Sequence, residues 1–212
     1  GFAGGVGAFV AMAMAYGMDL EELAKAARPN IPADVWAEAE NLAMFLKQKG
    51  HLSAIPLDTW LACDSLKRLW RRAHPEIVKL WAAVEDAARS AINGRPTSTH
   101  GLTFDKRGAW LRIGLPSGRY LSYPSPRVDE TGQITYMGVC PYSRKWKRLK
   151  TFGGKLVENI VQAIARDVLA NNMAAIEAAG YEIVLTVHDE VITEAINTAR
   201  YNASELSSLL AI

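Results

Sequence analysis

The chain has 212 residues, half of them hydrophobic and 22% charged, with a formal net charge of +2. That composition excludes a disordered or collagen-like chain and allows a sizeable core, in one large domain or two small ones. The small net charge conceals a split: residues 1–99 are neutral, residues 100–155 carry 11 basic against 3 acidic side chains, and residues 156–212 carry 2 basic against 8 acidic.

Residues 1–18 hold no charge. They are Gly- and Ala-rich, run straight into Asp19, Glu21 and Glu22, and lack a basic leader, so neither a membrane span nor a signal peptide is read there. The chain opens on Gly1 rather than Met, which reads as a fragment or a processed chain. Val6–Tyr16 is Ala- and Met-rich and reads as a helix. Asp19 then caps a short helix, with Glu22 three residues on as in a capping box, and Pro29 stops it. Pro32 opens a helix over Ala33–Lys49, with an apolar stripe through Val35, Trp36, Ala39, Leu42, Ala43 and Leu46, and Gly50 ends it. Asp58–Ala91 is a second long helical stretch, bent or broken near Pro75. Residues 93–101 read as a turn or linker.

The hydrophobic period then changes to two. Trp110–Leu115, Arg119–Tyr123 and Gln133–Val139 read as short strands parted by turn residues. A long helix follows over about Gly154–Ala179, then a strand over Ile183–Val187, a polar turn His188-Asp189-Glu190, a strand over Val191–Thr193 and a last helix over Ser204–Leu210. Helices first, then antiparallel strands with one long helix, define an α+β protein.

Three features carry chemistry. The first is the acidic turn between two apolar strands, 187–191. Carboxylates held at a hairpin tip suit a divalent metal, which takes hard oxygen ligands, although Asp and Glu also favour turns for local reasons. The second is a stripe of Lys155, Asn159, Gln162 and Arg166, spaced so that all four share one helix face. Such a stripe is either a solvated face or a set of donors for minor-groove acceptors. The third is the run Arg144-Lys145-Trp146-Lys147-Arg148-Leu149-Lys150, which has no acid until Glu158. Beside the stripe it suits phosphate contacts, with Trp146 placed either to stack or to join a core. The Gly-rich start lacks both a P-loop lysine and a preceding strand. Two cysteines, Cys63 and Cys140, are too few for a disulfide scaffold or a structural zinc site and fit a reducing compartment.

Together these residues resemble a family A DNA polymerase of the DNA polymerase I type, nearest its phage and prophage members. Thr186-Val187-His188-Asp189-Glu190-Val191 is similar to the family's motif C. The segment from Thr151 to Asp167 is similar to the helix before it. The residues from Gly1 to Phe9 are similar to the tail of motif B, with Phe2 in the place of Tyr and Ala3 in the place of Gly. The resemblance implies distal fingers over 1–95 and a C-terminally truncated palm over 96–212. It implies that Asp189 ligates catalytic Mg²⁺, that Glu190 assists, and that His188 contacts the primer end. Gln162 and Arg166 would face the minor groove, and Phe2 the nascent base pair. Asn159, Lys155, Arg144, Lys145, Lys147 and Arg148 complete the expected DNA surface. The implied partners are primer-template DNA, dNTPs and a missing N-terminal part carrying the motif A Asp and the motif B Arg and Lys. The implied setting is a bacterial or phage-infected cytoplasm. Without those parts the piece is expected to be inactive alone. The alternatives are a non-catalytic DNA-binding module and a metal-dependent phosphohydrolase.

Overall fold

The computed structural model describes residues 4–210, so the expected role of Phe2 lies outside the described residues. It is an α+β protein, and it divides into two units after Ala83.

In the first unit, α1 (Val6–Ala15), α2 (Leu20–Ala27), α3 (Ala33–Gln48) and α4 (Leu57–Ala73) pack together, and α5 (Pro75–Ile92) begins. The breaks fall where the chemistry of the backbone puts them. Asp19 accepts from the amides of Glu21 (2.9 Å) and Glu22 (3.1 Å), satisfying donors that the first turn leaves open. α2 gives way to a 3-10 turn over Arg28–Asn30, which contains Pro29. Gly50 adopts φ +68° just past α3, a left-handed cap that glycine takes without a Cβ clash. The long stretch after residue 57 is two helices, because Pro75 cannot continue α4. Val35, Ala39, Trp60 and Cys63 lie in the buried cluster. Asp64 is fully buried there and is held by Lys67 and by Arg68 Nε at 2.6 Å. Arg68 also reaches Glu38 at 2.6 Å, and Arg72 joins Asp34 and Glu38 at 2.8 Å each, so α4 is laced to α3 by charge. A carboxylate in that position requires such partners to offset its lost hydration.

The second unit holds three antiparallel sheets. β1 (Thr97–Thr99), β2 (Leu102–Arg107), β3 (Trp110–Gly114) and β4 (Tyr120–Pro124) form a meander in sequence order. β5 (Arg127–Val128), β6 (Ile134–Val139) and β7 (Trp146–Thr151) form a second sheet, also in order. β8 (Glu182–Val187) and β9 (Glu190–Glu194) make a separate hairpin. α6 (Gly153–Ala178) lies between β7 and β8 in the chain, and α7 (Ala203–Leu210) packs against α6.

Four strands, β1, β2, β5 and β7, are not in the sequence reading. Residues 93–101, expected as a linker, contain β1, which pairs with β2 from Thr97 opposite Phe104 to Thr99 opposite Leu102. The basic run at 144–150 is mostly β7, paired with β6 along six residues from Trp146 opposite Val139 to Thr151 opposite Ile134. Long cationic side chains mask the apolar alternation that marks a strand, so backbone pairing with β6 decides the conformation there. α6 buries Leu156, Val157, Ile160, Leu169 and Ile176. Val161 and Val168 on the same helix are 49% and 52% exposed. Among the described residues no helix is long and apolar enough to cross a membrane.

Candidate nucleic-acid interface

The hairpin β8–β9 turns through two residues, His188 and Asp189, between the last ladder pair, Val187 and Glu190. His188 takes φ +53°, the sign that the favoured two-residue hairpin turns require at their first central position. His188, Asp189 and Glu190 are all exposed, and among the described residues no hydrogen bond or ion pair engages their side chains. The tip therefore offers unpartnered carboxylate oxygens to solvent. Among the described residues no group of three or more His, Cys, Asp or Glu side chains is assembled to hold a metal.

The hairpin is anchored from its base. β8 packs against α6, and Tyr181, just before β8, is buried. The Tyr181 hydroxyl accepts from the Asn202 amide at 3.0 Å and lies 3.0 Å from the Glu205 carboxylate and 3.1 Å from the Asn202 carbonyl, donating to one of them. Asn172, buried on α6, donates to the Leu210 carbonyl at 2.9 Å and so fixes the end of α7.

The four residues of the α6 stripe have different roles. Gln162 and Arg166 are exposed and, among the described residues, engaged by no other side chain. Lys155 is exposed but paired with Glu158 at 2.8 Å, one turn along. Asn159 is half-buried, and its amide donates to the Tyr123 hydroxyl on β4 at 2.9 Å. The two free polar groups thus sit beside the exposed Val161 and Val168, a mixture of donors and apolar surface. Arg119 and Ser117, which sequence reasoning missed, brace the same helix. Ser117 Oγ donates to Asp167 at 2.5 Å and Arg119 pairs with Asp167 at 2.5 Å, holding that carboxyl below the usual range. The signal for both was their place in the Pro-Ser-Gly-Arg turn between β3 and β4. Asp167 is therefore committed to a structural clamp.

The basic run is divided by its strand register. Trp146, Arg148 and Lys150 share one face of β7, while Lys147 and Leu149 share the other with Tyr136 and Gly138 of β6. Arg144 and Lys145 are exposed in the turn before β7, where Arg144 takes φ +53°. Arg148 donates to the Ser125 carbonyl at 3.0 Å and to Thr135 Oγ1 at 3.2 Å, so it supports the sheet as well as charging its surface.

Over 136 residues the chain is 46% identical to a protein of Bacillus phage SP02 named DNA polymerase. The match takes in 61% of this chain and 21% of the phage protein, so the chain spans about a fifth of that relative's length. No family model matches the chain, and no solved structure matches it. Identity at that level over that length makes the matched stretch homologous to part of a phage DNA polymerase.

Proposed function

We propose that this chain is part of a template-directed DNA polymerase of family A, contributing distal fingers and much of a palm. The observation that carries the proposal is the 46% identity with a stretch of a phage DNA polymerase. The reaction is attack of a primer 3′-hydroxyl, which loses its proton to solvent, on the α-phosphate of a dNTP; the new phosphodiester bond forms as the α–β anhydride bond breaks and pyrophosphate leaves. In this reading Asp189 is a Mg²⁺ ligand, with Glu190 beside it. Two exposed, unpartnered carboxylates at a hairpin tip fit Mg²⁺, which binds through one or two carboxylates and keeps its remaining positions for water and substrate phosphates. When bound, the ions stabilise charge on the attacking and leaving oxygens. In the same reading His188, exposed at that tip, holds the primer end. Gln162 and Arg166 supply donors to the minor groove, where acceptors recur at every base pair and are contacted without reading sequence. Asn159 and Lys155 orient that face through Tyr123 and Glu158. Arg144, Lys145, Lys147 and Arg148 supply cations for the phosphate backbone.

The chain spans about a fifth of its phage relative, and its tip carboxylates gather no third ligand among the described residues. We therefore expect no primer extension by the isolated chain. The test is a chimera in which this chain replaces the homologous stretch of the phage enzyme. Extension with Mg²⁺ and dNTPs that is lost in the Asp189→Ala chimera supports the reading. Full extension by that variant would refute the role of Asp189. A second reading, a DNA-binding module without catalysis, draws on the exposed cations near β7; it predicts DNA binding by the chain and an inactive chimera.

A further inference from the structure

We infer that the hairpin formed by β6 and β7 carries a binding surface for single-stranded DNA, separate from the α6 stripe and the β8–β9 tip. This rests on the polymerase-type reading for the identity of the ligand as DNA, and on the hairpin's own chemistry for its strandedness.

The register puts Val139, Trp146, Arg148 and Lys150 on one face of the sheet, and Arg127 of β5 joins that face opposite Thr135. The opposite face is largely buried, apart from the exposed Lys147 near the turn. It carries the buried Ile134 and Thr151, and Tyr136 meets Tyr123 edge-on with ring centroids 5.0 Å apart. The outward face is unusual for a solvated sheet. Trp146 is 60% exposed and pairs with Val139, which is also largely exposed. The connecting turn projects Tyr142, 97% exposed, followed by Arg144 and Lys145. The sequence holds no Asp or Glu between Glu130 and Glu158, and the acid that acts on this group is Asp129, which feels the charge of Lys150. Among the described residues Arg127, Arg144 and Lys145 form no ion pair, and Lys150 makes no close one.

Two aromatic rings held open to solvent within a field of exposed cations match the needs of a single strand. The cations follow the phosphates, and each ring offers a platform for a base. A duplex presents its phosphates but keeps its base faces stacked on one another, so it leaves the rings unused. The fold supports this geometry through the tight turn at Arg144 and through Arg148, which ties β7 to the Ser125 carbonyl and leaves Trp146 facing out.

The experiment is fluorescence anisotropy with labelled oligothymidylate and a labelled duplex of equal length, using the full chain. Oligothymidylate is expected to bind more tightly than the duplex. Trp146→Ala combined with Tyr142→Ala weakens it about tenfold or more, and Trp146→Phe keeps most of the affinity because a ring remains. With about five phosphates engaged, a roughly fourfold rise in salt weakens binding about a hundredfold. Circular dichroism checks folding. Should the double variant misfold, the charge variants Arg127→Ala and Lys150→Ala serve instead, and each lowers the salt slope. Equal binding of single strand and duplex, unchanged binding in the aromatic variants, or equally tight capture of phosphatidylserine vesicles overturns the inference. Asp189→Ala is expected to leave oligothymidylate binding intact. An inactive chimera with intact binding therefore counts against the polymerase reading alone, and active synthesis without single-strand preference counts against this inference alone.

Discussion

The side-chain amide of Asn159 on α6 donates to the hydroxyl of Tyr123 on β4 across 2.9 Å. This bond crosses between the long helix and the meander, and it withdraws Asn159 from the polar stripe that its spacing suggests. Tyr123→Phe leaves the amide without its partner and is expected to cost about 1 kcal/mol of unfolding free energy in a urea titration. Gln162→Ala, on an exposed side chain with no partner, is expected to change stability by less than about 0.5 kcal/mol. Equal losses in the two variants would show that the stripe is not divided in this way.

The same tyrosine sets an alkaline limit. Burial pushes the Tyr123 hydroxyl up to about 12, against an ordinary value of 10. The fold favours the protonated form, so this contribution is whole below pH 10 and is lost as pH rises toward 12. Burial also raises the Tyr181 hydroxyl, so absorbance of tyrosinate at alkaline pH is expected to show more than one late-titrating tyrosine, one of which disappears in Tyr123→Phe, with stability falling over the same interval.

An acid limit arises at the clamp on α6. Ser117 and Arg119 hold Asp167 below its ordinary carboxyl value of 3.8, and Arg112 does the same for Asp105, with Nε at 2.8 Å. Both groups are more acidic in the fold than in the unfolded chain. Their stabilisation is therefore present above pH 3.8 and is lost as pH falls below it. Asp167→Asn is expected to flatten the acid limb of a stability-pH curve measured by chemical denaturation; an unchanged slope would count against the clamp.

Gly180 joins α6 to the hairpin with φ +97°, and a Cβ there would sit 2.5 Å from the Tyr201 hydroxyl oxygen. Gly180→Ala is expected to lower stability by about 1–3 kcal/mol, through backbone strain and that clash. Adding Tyr201→Ala removes the clash but not the strain, and it also removes the edge-on contact between Tyr201 and Tyr181, whose centroids lie 5.0 Å apart. A differential scanning series over the three variants separates these contributions. Full wild-type stability in Gly180→Ala would contradict the left-handed geometry.

Local chemistry made much of the fold legible. Asp19, Pro29, Pro32, Gly50 and Pro75 act on their own backbone neighbours, so helix ends in the first unit follow from single residues. The acidic hairpin was legible for the same reason: two apolar strands flank a polar turn, and residue pairs two apart need no distant partner to register. β1, β2, β5 and β7 were not legible, because segments such as Thr97–Thr99 and the cationic run at 146–150 become strands only when a neighbouring segment supplies the opposite half of each ladder. The allocation of polar side chains was also beyond reach. Spacing places Asn159, Gln162 and Arg166 on one helix face, but only the arrival of β4 turns Asn159 to Tyr123, and only the β3–β4 turn commits Asp167 to Ser117 and Arg119. Helix caps and turn signals act over a few residues of chain, whereas hydrogen-bond partners and strand faces are settled by segments that meet after dozens of residues, and that meeting belongs to the tertiary structure.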